Sequence, residues 1–199
     1  MAIPRIRAAV LALHWQVNVI KPEGFFGPML AEPVASSGVV ARAVEFHEAA
    51  HGVPVIFTRF TIPVGEGELV RNTGFMRSVG AAQTEFRPDS PGSQLIPEMA
   101  GQATEVFDNQ KLSGLAGSKL AEWFAGQGID TLFITGVATN LTVEQTARHA
   151  TDLGFTVHPV ADCTIAASPE AHEAALANLE LVTAGSRTAA QALELIGRR

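Results

Sequence analysis

The chain holds a single cysteine, Cys163, among 199 residues. That excludes an internal disulfide and, with no Cys/His cluster beside it, a structural zinc site of the usual kind. It also lacks a basic block: 14 lysines and arginines stand against 20 acidic residues, for a formal charge of −6. With no Lys/Arg stripe interleaved with aromatics, nucleic acid and anionic membrane surfaces are poorly supported as partners, and a small molecule is the expected one. Long hydrophobic runs are missing too. The first apolar run, Ala8 to Leu13, is far shorter than the roughly 20 residues that span a bilayer, and no small-residue cleavage site follows a hydrophobic signal core. The expectation is a soluble, cytoplasmic protein with no membrane contact. Linkers, repeats and low-complexity tracts are absent from the pattern, and the length suits one sizeable core, so residues 1–199 read as a single domain.

What is present is alternation. The sequence is 47 % hydrophobic, and short apolar runs of β-branched character alternate with longer stretches of helical period, the mark of a parallel sheet covered on both faces by helices. "AAVLALH" (Ala8 to His14) reads as a first strand, "VPVIFTR" as a second, "TEVFDN" as a weaker third, "TLFITG" as a fourth and "FTVHPV" as a fifth. "LELVTA" reads as a short sixth. Helices are expected in "PVASSGVVARAVEFHEAAHG", where Val40, Val44, His47 and His51 share a helical spacing ended by Gly52, in "SKLAEWFAGQG", from Asn140 to Leu153, from "SPEAHEAAL" and in "RTAAQALELI". Ser168 before Pro169 is an N-cap with proline in the first turn. Residues 60–103 hold most of the Gly and Pro between two elements and read as a long, partly ordered excursion, a place where binding surfaces are commonly built.

In an open parallel sheet the ligand crevice lies beyond the carboxyl ends of the strands, where the strand order reverses. That rule selects His14, Trp15 and Gln16 after the first strand, Arg59 after the second, Asp108, Asn109 and Lys111 after the third, and Gly136 to Thr142 after the fourth. If the first and fourth strands are neighbours, His14 and Thr142 face each other. Trp15, Phe25, Phe26, Phe60, Phe75 and Phe86 are candidates to line an apolar pocket, with ordinary packing as the competing account. Arg59 and Arg87 are candidates to pair a substrate carboxylate, against a role as solvated surface arginines.

Two patterns are decoys. "HEAAH" (His47 to His51) matches the zinc-protease motif in form, but a catalytic zinc needs a third protein ligand, no clear one follows, and the helix ends at once in Gly52. Histidines near the negative end of a helix dipole are the preferred reading. Cys163 follows the fifth strand with no histidine in a recognisable motif, so a packing role is preferred to a reactive one.

From "GIDTLFITGVATNLTVEQTARHATDLGFTVHPVADC" the chain resembles the isochorismatase-like hydrolases, the superfamily that includes isochorismatase, nicotinamidase and N-carbamoylsarcosine amidase. "GVPVIFTR", "PGSQLIPEM" and "VFDNQKLSG" extend the likeness over nearly the whole length. The resemblance implies a three-layer α/β/α sandwich, doubly wound around a mainly parallel six-stranded sheet, assembled as a homodimer or homotetramer, with no cofactor. Most members hydrolyse small amides through an Asp, Lys and Cys triad, whereas the isochorismatases proper act on a vinyl ether and can lack the Cys. Here all three triad positions are substituted, by His14, Asn109 and Thr142. The metal-binding Asp/His set that nicotinamidases place after the second strand is also absent from "TRFTIPVGEGE", so no metal is expected. "GVATN" resembles the turn where members often carry a cis peptide, here joining Val137 and Ala138, and the backbone N–H groups of Ala138 and Thr142 are the implied oxyanion donors.

A threonine hydroxyl, unlike a thiol, must surrender its proton to a base during attack. His14 can be that base, with an ordinary pKa near the working pH. Asn109 can orient the ring or the substrate, and Lys111 can stand in for the missing cation. Two other accounts stay open. Losing Asp and Lys together leaves no unpaired buried charge, so a catalytically silent binding or assembly protein folds equally well. Alternatively, His14 as imidazolium protonates an enol ether with no nucleophile at all.

Overall fold

The computed structural model describes residues 7–197. Six apolar residues of the first run form a fully buried strand, β1 (Ala8–Leu13). A single short helical turn, α1 (Val17–Ile20), follows it. The helix expected over residues 33–52 is two helices, α2 (Gly27–Ser37) and α3 (Val39–Ala49). They are separated at Gly38, whose φ of 70° is the left-handed conformation that ends helices and that glycine adopts without a Cβ penalty. His51 lies exposed beyond the end of α3 rather than on its buried stripe. Next come β2 (Val55–Phe60), α4 (Gly74–Ala81), β3 (Glu105–Asn109), α5 (Leu120–Gly126) and β4 (Thr131–Val137). A π-helical turn over Thr139–Val143 leads into α6 (Glu144–Asp152), then β5 (Thr156–Ile165), α7 (Pro169–Val182) and α8 (Ala189–Gly197). Ser168 caps α7 by accepting a hydrogen bond from Ala171 N.

All strand pairs are parallel, in the order β3-β2-β1-β4-β5. The winding direction therefore reverses between β1 and β4, where Leu13 pairs with Gly136. The sheet has five strands rather than the six expected. "LELVTA" belongs mostly to α7, because Leu179 lies one helical turn after Ala175 on its buried face while Leu181 is 85 % exposed. Among the described residues, an isolated bridge, Val160 to Arg187, is all that continues the sheet beyond β5.

Strand alternation divides the core. Val10 and Ala12 face α2, α3 and α8 through Leu30, Val34, Ala43, Phe46 and Ile196, while Leu11 and Leu13 face α5, α6 and α7 through Leu120, Phe124, Ala147 and Leu179. This is a three-layer α/β/α sandwich, and each such side chain fully buried contributes about 1.5–3 kcal/mol for those of Val to Phe size. A third apolar cluster, Phe60, Ile62, Met76, Val79 and Phe86, orders the long excursion after β2. Among the described residues no helix is long and apolar enough to cross a membrane.

Candidate active site

His14 sits one residue past β1 with φ 55°, a left-handed backbone that is uncommon for any side chain but glycine. Its N–H is held by Thr58 O at 3.1 Å, and its ring meets Phe60 edge-on at 6.2 Å. The left-handed bend takes the side chain out of the strand's alternation at the carboxyl end of the sheet. Strain of this kind is typical of residues placed for function.

Asn109 ends β3 and is buried. Both hydrogens of its amide nitrogen are committed, to Lys111 O at 3.0 Å and Ser113 O at 2.7 Å. Its Oδ1 has no hydrogen-bond partner, and neither has His14 Nε2, although both atoms are buried. The two side chains are close enough to influence each other without completing an aligned bond. Burial drives the His14 pKa down from 6.5 to about 4, and the Asn109 amide only partly opposes this. The imidazole is therefore neutral at neutral pH, not poised near it as the unperturbed value suggests.

After β4 the Val137–Ala138 peptide is cis, and the π-helical turn brings Thr142 back toward the sheet. Thr142 is 2 % exposed and donates its hydroxyl proton to Leu112 O at 2.7 Å. His14 and Thr142 do not hydrogen-bond to each other, but both line one cavity of about 90 Å³. Val137 and Ala138 form part of the same wall, with Phe60, Phe26, Phe75 and Leu112 completing much of the apolar lining. The crevice rule thus brings His14, Phe60, Val137, Ala138 and Thr142 together, with Asn109 immediately behind His14.

Other expected residues are used elsewhere. Trp15 is core, its indole donating to Thr135 Oγ1 at 3.3 Å. Gln16 is fully buried and pairs with both backbone groups of Phe60 and with Ser93 O. Arg59 makes a two-pronged bond to Asp108 and a third to Gln94, at a separate shallow cleft. Lys111 is half-buried and lies outside the cavity lining. Arg87 is spent on the Ile62 and Pro63 carbonyls and Gln83. Of the aromatic candidates, Phe25 and Phe86 back the wall rather than form it, Phe86 meeting Phe60 edge-on at 5.6 Å.

The sequence reading missed Val19, Met29, Leu30, Val79, Leu112 and Ala167, which also line the cavity, whereas Asn140 and Leu141 fall within the selected stretch Gly136 to Thr142. Met29 stands 49 % exposed on α2, ahead of the stretch read as helix from Pro33, so no local periodicity marked it as a pocket rim.

The decoys resolve into structure. His47 is buried, with Nδ1 donating to Gln102 Oε1 and Nε2 accepting from Thr135 Oγ1, each at 3.0 Å. Both ring nitrogens are therefore committed to hydrogen bonds. Cys163 is fully buried, and desolvation pushes its thiol up to about 12, out of reach of a thiolate role.

Comparison with known proteins agrees with this architecture. The family model described as Isochorismatase domain matches residues 8–191. Nicotinamidase 3 of Arabidopsis thaliana is 37 % identical over 90 residues, 44 % of this chain and 46 % of that protein. The uncharacterized isochorismatase family protein YwoC of Bacillus subtilis (strain 168) is 32 % identical over 105 residues, 52 % of this chain and 56 % of that one. The chain thus spans about half the length of these curated relatives. A cysteine hydrolase from Pseudomonas syringae pv. phaseolicola 1448A superposes with a TM-score of 0.79 at 20 % identity, covering 100 % of this chain and 99 % of that one. An isochorismatase-like hydrolase from Alkaliphilus metalliredigens gives 0.76 at 20 %, over 96 % and 97 %. At that identity the structural likeness speaks for the fold.

Proposed function

This chain belongs to the isochorismatase-domain family, and from that premise we propose that its cavity hydrolyses a small amide-like or vinyl-ether substrate through a His/Asn/Thr site. The observation that carries the reading is that His14 and Thr142, from opposite sides of the winding reversal, line one cavity together with Ala138. In this reading, for an amide, the neutral His14 takes the Thr142 proton as Oγ1 attacks the substrate carbonyl, after the hydroxyl turns from Leu112 O. The imidazolium returns that proton to the nitrogen as the C–N bond breaks, and water, deprotonated by the same ring, then releases the acid from the acyl-threonine. The start of the helix, with the N–H groups of Ala138 and Thr142, receives the developing oxyanion. Asn109 positions the ring. Relatives whose names describe hydrolysis of amides, such as ureidoacrylate amidohydrolase RutB of Stutzerimonas stutzeri (strain A1501), 38 % identical over 88 residues, favour the amide over the enol ether. So does the charge state of His14: with a pKa of about 4, only about one molecule in a thousand carries the acid form at pH 7.

A second reading, a silent family member that binds a small molecule without turning it over, is favoured by one observation. The Thr142 proton goes to Leu112 O and not to His14. Assembly into a homodimer or homotetramer belongs to either reading, and sedimentation reads it directly.

Screening the purified chain against small amides, carbamoyl compounds and enol ethers tests the proposal. Thr142→Ala and His14→Ala are expected to lower kcat/KM on any substrate found by at least a hundredfold each, a general-base contribution of ordinary size. Full activity in Thr142→Ala removes the nucleophile. No turnover of any compound, with binding retained, selects the silent reading.

A further inference from the structure

Whether the cavity is a hydrolytic or a silent site, its ligand has a chemistry that the walls specify. No lysine, arginine, aspartate or glutamate lines it among the described residues. The arginines flanking the region are already used: Arg59 on Asp108, and Arg87 on two carbonyls and Gln83. An anion entering here loses its water and gains no cation, which is strongly unfavourable.

The polar atoms on the floor sharpen this. Asn109 cannot rotate its amide without breaking two bonds from Nδ2, so its buried, unpartnered Oδ1 is fixed in place on a side chain close enough to act on the His14 ring. A carbonyl oxygen in that place calls for a donor; of the buried atoms without a partner, which include the Thr58 and Thr61 hydroxyls, His14 Nε2 belongs to the ring on which the Asn109 side chain acts. With the proton on Nε2, the lone pair is left on Nδ1, the other edge of a ring that lines the cavity. Thr142 has its own proton turned away to Leu112 O, so what it offers the cavity is also a lone pair.

We propose that Asn109, by holding His14 as the Nε2–H tautomer, makes the cavity selective for an uncharged ligand with an apolar body and an N–H donor group, which His14 Nδ1 and Thr142 Oγ1 accept together. A carboxylate of the same shape meets two lone pairs and no counter-charge. This inference rests on reading the cavity as the ligand site, but not on any turnover there. Asn109 is then a specificity-determining, positioning residue: an aspartate in its place would hold the ring as imidazolium and turn the acceptor at Nδ1 into a donor.

The test uses shape-matched pairs that differ in charge and donor, isobutyramide with isobutyrate and benzamide with benzoate, binding to the full chain at pH 7.5 by calorimetry or protein-observed NMR. The amide of at least one pair is expected to bind ten times or more tighter than its carboxylate. Nitrogen-15 spectra should show His14 as a neutral Nε2–H imidazole from pH 5.5 to 8. Asn109→Asp is expected to produce imidazolium shifts at pH 7.5 and to reverse the amide preference. Carboxylates binding as well as amides, an Nδ1–H tautomer, or failure of both amides to bind at millimolar concentration overturns the proposal. Should Asn109→Asp fail to fold, the wild-type spectra and the ligand pairs still decide. Amide binding without hydrolysis defeats the catalytic reading and leaves this one standing. Hydrolysis of carboxylate-bearing substrates alone does the reverse.

Discussion

Acid should unfold this protein through two buried histidines, and the size of the effect follows from their surroundings. His47 joins α3 to the sheet in a closed network: its Nδ1–H donates to Gln102, its Nε2 accepts from the Thr135 hydroxyl, and Trp15 donates to that same oxygen. Every polar atom is satisfied only while the ring is neutral, and burial lowers its pKa to about 4, as it does for His14. The unfolded chain takes up a proton on each near 6.5, whereas the folded chain resists until about 4. Between those values the unfolded state binds more protons, so the stability these rings contribute is complete above about pH 6.5 and is lost as pH falls through the folded pKa. The full loss is about 3 kcal/mol per ring, and about 2 kcal/mol of it is already gone at pH 5. Against a total of about 5–15 kcal/mol for a domain, two such rings decide acid stability. Urea unfolding of wild type and His47→Gln at pH 7.5, 6 and 5 measures this. At pH 7.5 the variant should be less stable by about 1–3 kcal/mol, because Thr135 or Gln102 loses its partner. Between pH 7.5 and 5, however, it should lose about 2 kcal/mol less than wild type. Parallel pH profiles for the two proteins would refute the argument, since every other titrating group cancels in the difference.

Three further outcomes follow from packing and caps. Gly136→Ala should abolish soluble expression or cost more than about 4 kcal/mol, because a Cβ there would stand 2.3 Å from Leu13 O at a φ of 137°; thermal melts and yield report it. Gln16→Leu removes the partners of Phe60 N, Phe60 O and Ser93 O in a fully buried place, and should lower the urea-derived stability by about 3 kcal/mol or more. Ser168→Ala loses the N-cap bond to Ala171 N and should cost about 1 kcal/mol in the same assay, with Ser168→Asp close to wild type.

Much of the scaffold was legible from local pattern. Ala8 to Leu13 is apolar throughout and Thr131 to Val137 largely so, and both are buried along their whole length because both faces of a central parallel strand are covered; that signature needs no partner to be read. The cap at Ser168 was equally local, whereas the helix expected to run to Gly52 ends at Ala49. "LELVTA" was misread because a short apolar run at the end of a helix has too few residues to distinguish a period of 2 from one of 3.6. The break at Gly38 was missed because helical spacing continues in number across a residue whose backbone turns left-handed.

The site divides in the same way. The hydrophobic runs by themselves determined that His14 and Asn109 stand at strand ends and that Thr142 follows the fourth strand; that β1 and β4 are neighbours, so that the crevice rule applies between them, was decided by the packed sheet. Only the tertiary structure decided their chemical states: that His14 is desolvated and neutral, that Asn109 has no hydrogen left to rotate with, that the Thr142 proton points at Leu112. The same holds for Arg59 and Gln16, drawn off to Asp108 and to Phe60. A residue's place along the chain is set by short-range pattern, but its protonation and its hydrogen-bond partners depend on dielectric and on groups tens of residues away, which come together only when the layers pack.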